Sequence, residues 1–388
     1  MIYPLTALPD ELSMNEDFKV TPWEVSGEID YDLLVEKFGT RKIDADLIDR
    51  LSRYAEPHPL LKRGVVYSHR DMDWILDRYE AGEPFYLYTG RGPSGNTHLG
   101  HLMPWIFTKY LQDTFKVPLY FQLTDDEKYL FNENLELKDT RDMAYQNLLD
   151  VIALGFDPEI TKIFIDTEYI HSLYPLALKV AKRITFSTAR AVFGFDNSNN
   201  IGSIFYTSIQ AAPAFLGSVL ASKNVPCLIP CGIDQDPHFR VARDIAPTLG
   251  YYKPALLHNK MFPGLQGTDK MSSSQPNSTI YTTDPPKLVR KKIMSAFTGG
   301  AVSVEEQRKS GGKPEICSVF KYKLYMFEKD DQRLAELYER CRKGEILCGE
   351  CKKGLADVIV PFIEEHQRKR EEAKERVEEF MLRDCGGA

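Results

Sequence analysis

No uninterrupted apolar run approaches the ~20 residues that a membrane-spanning helix needs, so a membrane protein is not expected. The start, Met1-Ile2-Tyr3-Pro4, lacks a basic segment followed by an apolar one, and no secretory leader is read there. Cysteine is scarce, odd in number at seven, and irregularly spaced. That argues against a disulfide framework and fits reduced thiols in a cytoplasmic setting. Positive charge is in deficit: 49 Lys and Arg face 56 Asp and Glu, for a net charge of −7. Such a balance speaks against indiscriminate nucleic-acid binding. The deficit is uneven, because Lys287 onward carries 22 basic residues against 19 acidic, and the preceding part 27 against 37. A mildly basic end beside an acidic body permits a local polyanion contact, and solvated helix faces give the same pattern. Internal repeats and low-complexity tracts are missing as well. What remains, 388 residues at 43% hydrophobic and 27% charged, is ordinary for a soluble chain large enough for two domains.

The most informative stretch runs from Phe85 to Phe115. Phe85-Tyr86-Leu87-Tyr88 reads as a buried strand. A loop follows, Thr89 to Thr97, with three glycines and one long side chain, Arg91. His98-Leu99-Gly100-His101 then opens a helix whose apolar positions, Leu99, Leu102, Met103, Ile106, Tyr110 and Leu111, recur at helical spacing. A helix start carries free N–H groups and partial positive charge, and glycines before it let a bulky anion approach. His98 and His101, three apart, add donors on one face. Gly100 leaves bare backbone on which a flat ring can lie. The motif suits a nucleotide triphosphate; by itself it equally suits a capped helix with two surface histidines.

Further strands are read at Val117–Leu123, Lys162–Asp166, Val225–Cys231 and Ala255–His258, separated by helices near 139–155, through 170–225 and over 239–249. Residues 31 to 82 read as helices, with Ser68 or Asp71 as a cap. Asp17 to Val25 reads as a hairpin or flap. The alternation from 85 to 258 predicts an α/β fold, a doubly wound, Rossmann-like parallel sheet. From Asp284 onward the pattern is helical. The expected domains are 1–283, an N-terminal extension plus the catalytic unit, and 284–388, with the last helix free to pack back on the catalytic part. Gln122 interrupts an apolar strand, and polar residues near strand carboxyl ends face the ligand crevice. Gly264 to Ser274 is small, polar and flexible, with one lysine, Lys270, able to reach a phosphate as a point charge. Cys341, Cys348 and Cys351 raise a metal site. With a single Cys-x-x-Cys and His366 the nearest histidine, free thiols are the expectation and no dedicated metal site is assigned.

Two motifs now stand in order, His98-Leu99-Gly100-His101 and Lys270-Met271-Ser272-Ser273-Ser274. Together they resemble the paired signatures of the class I aminoacyl-tRNA synthetases. With Tyr88 to Ser94, Thr124 to Leu130, Ile209 to Pro213 and Pro230 to His238, the chain from about Asp17 to its end resembles the tryptophanyl-tRNA synthetases of the eukaryotic cytosolic type. The resemblance implies that ATP activates tryptophan to an adenylate, which then acylates tRNA(Trp). It implies that His98 and His101 hold phosphate oxygens, that Gly100 lies near adenine, that Lys270 with Ser272 and Ser274 stabilises the departing pyrophosphate, and that Met271 is among the ATP-binding residues. Arg91 adds a phosphate contact, and Mg²⁺ bridges phosphates without a protein cage. Tyr88 and Gln122 meet the indole N–H, while Glu127, Gln210 and Gln235 surround the amino acid. The implied setting is a cytoplasmic homodimer joined through residues of about 150–225, with 284–388 as the anticodon-binding part.

The chain departs from the class pattern at Leu99, at Ser273 where a second lysine is common, and in a Ser94–His98 loop one residue shorter than in the animal enzymes. Ser273 removes one phosphate charge, so Arg91 or Mg²⁺ is expected to share the task of Lys270. No N-terminal helical appendage is read ahead of the core. The rival readings are a tyrosine-specific ligase, which would want an acidic partner for a phenol, a catalytically inactive tRNA-binding relative, and a small adenylyltransferase. An inactive relative should have lost His98, His101 or Lys270, and all three are present.

Overall fold

The computed structural model describes residues 18–20, 25–27, 29–268, 270–272 and 275–384. Nine strands occur among them: β1 (Phe18–Val20), β2 (Val25–Gly27), β3 (Arg41–Lys42), β4 (Val66–Arg70), β5 (Tyr86–Arg91), β6 (Leu119–Leu123), β7 (Thr161–Ile165), β8 (Cys227–Gly232) and β9 (Ala255–Asn259). β1 and β2 pair antiparallel, where the sequence suggested a hairpin; Asp17 and 21–24 lie outside the described residues.

The other seven strands form one sheet in the order β3-β4-β9-β8-β5-β6-β7. From β9 to β7 every neighbour is parallel, as predicted. β4 runs antiparallel to both β3 and β9, so the sheet is mixed. The helical reading of 31–82 therefore fails at Val66–Arg70. Ser68, His69 and Arg70 made that run look like a helix cap. In the fold Ser68 and His69 are buried, and Arg70 is held by Asp236 at 2.7 and 2.9 Å. Burial of polar residues with partners is legible only once the partners are in place.

The chain leaves β5 toward β6 on one side and finds β8 on the other. This reversal opens a crevice beyond the strand carboxyl ends, the usual ligand position in such sheets. Leu119, Phe121 and Leu123 of β6 are buried, and so is Gln122 between them, because helices cover both faces. One apolar core continues from the sheet through Leu99, Leu102 and Leu148 into Val289, Ile293, Leu355, Ile359 and Ile363 of the C-terminal helices. A second, on the other face, gathers Tyr86, Tyr88, Leu173, Tyr206 and Phe215.

The helix Cys348–Ala373 lies against the helix Leu137–Ala153. Buried Asp150 receives His366 Nε2 at 3.0 Å and lies 3.2 Å from Arg370 Nε. Beyond it, Met381 bridges in parallel to Ile163 and the Leu382 N–H donates to the Ile163 carbonyl at 2.8 Å, along the free edge of β7. The stretch Ile201–Leu220 has the length and mean apolarity of a membrane span, and most of it is buried inside the fold as a core helix is.

Candidate active site

A cavity of about 360 Å³ opens at the β5–β8 crevice. Its floor comes from β5, which delivers Tyr88, and its rim from the start of the helix Leu99–Phe115. His98 takes the cap position in extended backbone, and its N–H donates to His101 Nδ1 at 3.2 Å. The two imidazoles stack with centroids 3.5 Å apart. Burial, then the nearby Arg91 cation, pushes both histidines well below their ordinary pKa. Each is therefore neutral near pH 7 and keeps one donor and one acceptor nitrogen. His98 Nδ1 is buried and has no hydrogen-bond partner among the described residues.

Gly100 follows His98 at the rim. A Cβ there would stand 3.1 Å from the His98 ring and 3.4 Å from Phe262 Cβ, so any side chain would crowd the first turn. Pro104, one turn on, has no N–H to give the Gly100 carbonyl, which keeps this turn polar. Arg91, at the end of β5, donates from Nε to Asn147 at 3.2 Å. Its Nη2 is buried with no partner among the described residues. Burial lowers the Arg91 pKa to about 10, against the pull of Glu127 and Asp150. A buried guanidinium with an open donor, beside an open imidazole and a helix start, is an arrangement for an anion.

Lys270 reaches the same cavity from the segment after β9, with its Nζ 3.3 Å from Asp234 Oδ2 and its side chain 40% exposed. Met271 is buried and lines the cavity, and its N–H donates to the Phe262 carbonyl at 2.7 Å. The chain then returns to the first motif. The Leu99 N–H donates to the Ile280 carbonyl at 3.2 Å and the Thr282 N–H to the Thr97 carbonyl at 2.9 Å. The segment that follows the second motif is therefore joined by backbone to the first.

The inner end of the cavity is set by Tyr88. Its hydroxyl donates to Gln122 Oε1 at 2.5 Å. Gln122 Nε2 donates to both oxygens of Asp166 at 2.9 Å, which fixes the amide. Burial pushes Asp166 well above the ordinary carboxyl range, and burial with the Asp125 charge nearby pushes Asp126 up to about 7. Glu127 accepts from Thr124 Oγ1 at 2.7 Å and pairs with Lys128 at 2.5 Å. Gln210 accepts from Tyr206 at 2.6 Å.

Ten of the residues singled out from the sequence line this cavity: Tyr88, Arg91, His98, Gly100, His101, Glu127, Gln210, Gln235, Lys270 and Met271. Gln122 stands behind Tyr88, fully buried. Ser272 is not on the cavity wall; its carbonyl accepts from Thr279 at 2.6 Å. Ser274 lies outside the described residues. Nothing in the residue order singles out Asp234, Asp166 or Asn147 individually. Asp234 could have been found in the polar cluster after β8; the other two carry no local signal.

A second constellation imitates a catalytic triad. Ser68 Oγ lies 3.0 Å from His258 Nδ1, and His258 Nε2 lies 3.1 Å from Asp236. All three side chains are fully buried, and Asp236 also binds Arg70, so the group ties β4, β9 and the loop after β8 together.

The sequence matches the family described as tRNA synthetases class I (W and Y) over residues 80–364. It is 50% identical over 370 residues to the tryptophan–tRNA ligase of Pyrobaculum aerophilum, covering 95% of this chain and 98% of that protein. It is 51% identical over 370 residues to that of Saccharolobus solfataricus, covering 95% and 96%. Among solved structures it is similar to Plasmodium falciparum tryptophanyl-tRNA synthetase, with a TM-score of 0.85, 43% identity, and coverage of 91% of this chain and 97% of that one.

Proposed function

The chain belongs to the class I tRNA synthetases (W and Y), and from that premise we propose how its cleft works as that of a tryptophan–tRNA ligase. The reaction has two steps. The tryptophan carboxylate attacks the α-phosphorus of ATP and pyrophosphate leaves. A terminal ribose hydroxyl of tRNA(Trp) then attacks the activated carbonyl and AMP leaves. Neither step needs a protein nucleophile, so catalysis is positioning and charge stabilisation.

We assign His98, His101 and Arg91 to the triphosphate oxygens and the Gly100 backbone to the adenine side. The buried, unpartnered nitrogens of His98 and Arg91 support this. Lys270 is assigned to the charge that grows on the departing pyrophosphate, with Met271, Ser272 and Ser274 shaping that segment. Asp234 holds Lys270 in reserve until phosphate takes its place. Mg²⁺ would be held chiefly by the phosphates, where it supplies positive charge. Tyr88 and Gln122 are assigned to the indole, and Glu127, Gln210 and Gln235 to the amino acid's remaining polar ends. The Tyr88 proton is committed to Gln122, which leaves hydroxyl lone pairs for the single N–H that indole offers.

Archaeal and eukaryotic proteins resemble the chain at 50% and 43% identity, so we propose a type shared by both rather than one peculiar to the eukaryotic cytosol. Residues 284–388 are proposed as the part that meets tRNA, in keeping with their basic balance. A cytoplasmic homodimer is inferred, joined through the region around Tyr174, Leu178, Phe186 and Ile201, whose apolar side chains are exposed.

The observation that carries the mechanism is that His98, His101, Arg91 and Lys270 meet on one cavity. Amino-acid-dependent pyrophosphate exchange tests it. Exchange driven by tryptophan, and charging of tRNA(Trp), are expected. Exchange driven by tyrosine alone would overturn the assignment.

A further inference from the structure

Among the described residues the Arg91 side chain makes one hydrogen bond. Its Nε donates to Asn147 Oδ1 at 3.2 Å. The other end of the same amide, Asn147 Nδ2, donates to the Gly95 carbonyl at 2.9 Å. Asn147 is 1% exposed and lies off the cavity wall. Its amide is therefore spent inside the protein, half on the guanidinium and half on the loop 92–97.

We propose, resting on the assignment of Arg91 to the ATP phosphates, that Asn147 is a positioning residue for adenylate formation: it aims Arg91 into the cleft and pins the loop beside it. A neutral amide is the group this place calls for. It offers an acceptor and a donor from one end of a short side chain. A carboxylate there would accept from Arg91 but would oppose the Gly95 carbonyl oxygen. Its charge would also satisfy the cation that a phosphate must find unpaired. With the amide, Nε is fixed, and Nη2 stays buried without a partner among the described residues.

The neighbouring backbone removes the remaining freedom. The Arg91 carbonyl accepts from the Thr124 N–H at 3.0 Å. A Cβ on Gly92 would stand 2.4 Å from Glu127 Oε2 and 2.5 Å from Lys128 Cε, so the chain passes close against both. Gly95 has a φ of +124°, where a residue with a Cβ is strained, and that turn brings its carbonyl to Asn147. The Thr97 carbonyl accepts from the Thr282 N–H at 2.9 Å and from Thr282 Oγ1 at 3.2 Å. Asn147 itself stands on a firm support. It shares the inner side of the helix Leu137–Ala153 with buried Ala144, Leu148 and Val151. Asp150, three residues on, ties that helix to His366 and Arg370. A side chain so placed can hold another in one direction.

The test is tryptophan-dependent pyrophosphate exchange by the full chain, with Arg91→Ala, Asn147→Ala and the double variant. Arg91→Ala should lower kcat/KM for ATP by about 30-fold or more, and Asn147→Ala by about tenfold, while KM for tryptophan stays within about twofold. The double variant should fall within about threefold of Arg91→Ala alone, because Asn147 acts mainly through that guanidinium. An unchanged kcat/KM for ATP in Asn147→Ala would overturn the proposal. So would losses that multiply in the double variant, or an equal rise in KM for tryptophan, which a merely distorted fold would produce. If Arg91→Ala itself keeps its kcat/KM for ATP, the phosphate assignment of Arg91 fails, and the role of Asn147 falls with it. Asn147→Ser keeps the site polar, but its hydroxyl is too short to span both partners. It gives the same readings should the alanine variant fail to fold.

Discussion

The Tyr88 hydroxyl and the Gln122 amide oxygen share a 2.5 Å hydrogen bond, and its direction is fixed from behind. Asp166 takes the Gln122 amide hydrogens, so the amide cannot flip and Tyr88 must be the donor. The polarity of the pocket floor is thus set by a carboxyl group that lies off the cavity wall. Removing the hydroxyl alone, in Tyr88→Phe, leaves Gln122 Oε1 buried and short of a partner. The expected cost is ~1–3 kcal/mol, or roughly 10- to 100-fold in kcat/KM for tryptophan. Tryptophan-dependent pyrophosphate exchange measures it, and an unchanged kcat/KM would remove Tyr88 from recognition.

Lys270, itself partly exposed, is held by a single carboxylate, Asp234, which a phosphate can replace. Its proposed target is charge that exists only as pyrophosphate departs. Lys270→Ala should therefore slow adenylate formation by about 100-fold or more and leave the KM for tryptophan nearly unchanged. Single-turnover kinetics separates the two. A raised KM with normal turnover would make Lys270 a ground-state contact instead.

Asp126 and Asp166 titrate as neighbours, with Asp126 raised to about 7 by burial and by Asp125. Between about 4, the ordinary carboxyl value, and about 7, the folded chain holds a proton that the unfolded chain releases. Stability from this pair is therefore greatest at low pH and is lost as pH rises through that window. Asp126→Asn cannot ionise, so its melting temperature relative to wild type should climb from pH 4 to pH 8. Equal differences at the two ends would show that the pair does not titrate there.

Asp150 anchors the helix Cys348–Ala373 to the catalytic body through His366 and Arg370. Asp150→Ala would take the carboxylate away from buried His366 and half-buried Arg370, at a cost of ~1–3 kcal/mol. Denaturant unfolding should show a loss of that size. A loss under about 1 kcal/mol would mean that apolar packing alone seats the helix.

Much of this was legible from residue order. His98, Gly100 and His101 at a helix start, with Lys270 far downstream, marked one anion site because glycine, histidine and lysine have few other reasons to recur in that sequence. The parallel strands were legible because both their faces are apolar. β4 was not, since Ser68, His69 and Arg70 are polar and their partners, His258 and Asp236, lie about 170 to 190 residues away. Asn147 was hidden for the same reason: it looks like any helix residue until Arg91 and the Gly95 carbonyl are placed beside it. Interactions over a few residues leave a pattern, and those closed by the fold do not.

The short run of Met381 and Leu382 along β7 has a consequence for handling the protein. An uncovered outer strand is a template onto which a stranger's backbone can dock, and here that seam is occupied from within. At the opposite border β3 is only two residues long and offers little purchase. Trimming the last eight residues would unzip the first of these guards, and the shortened chain should clump at concentrations where the intact one stays clear.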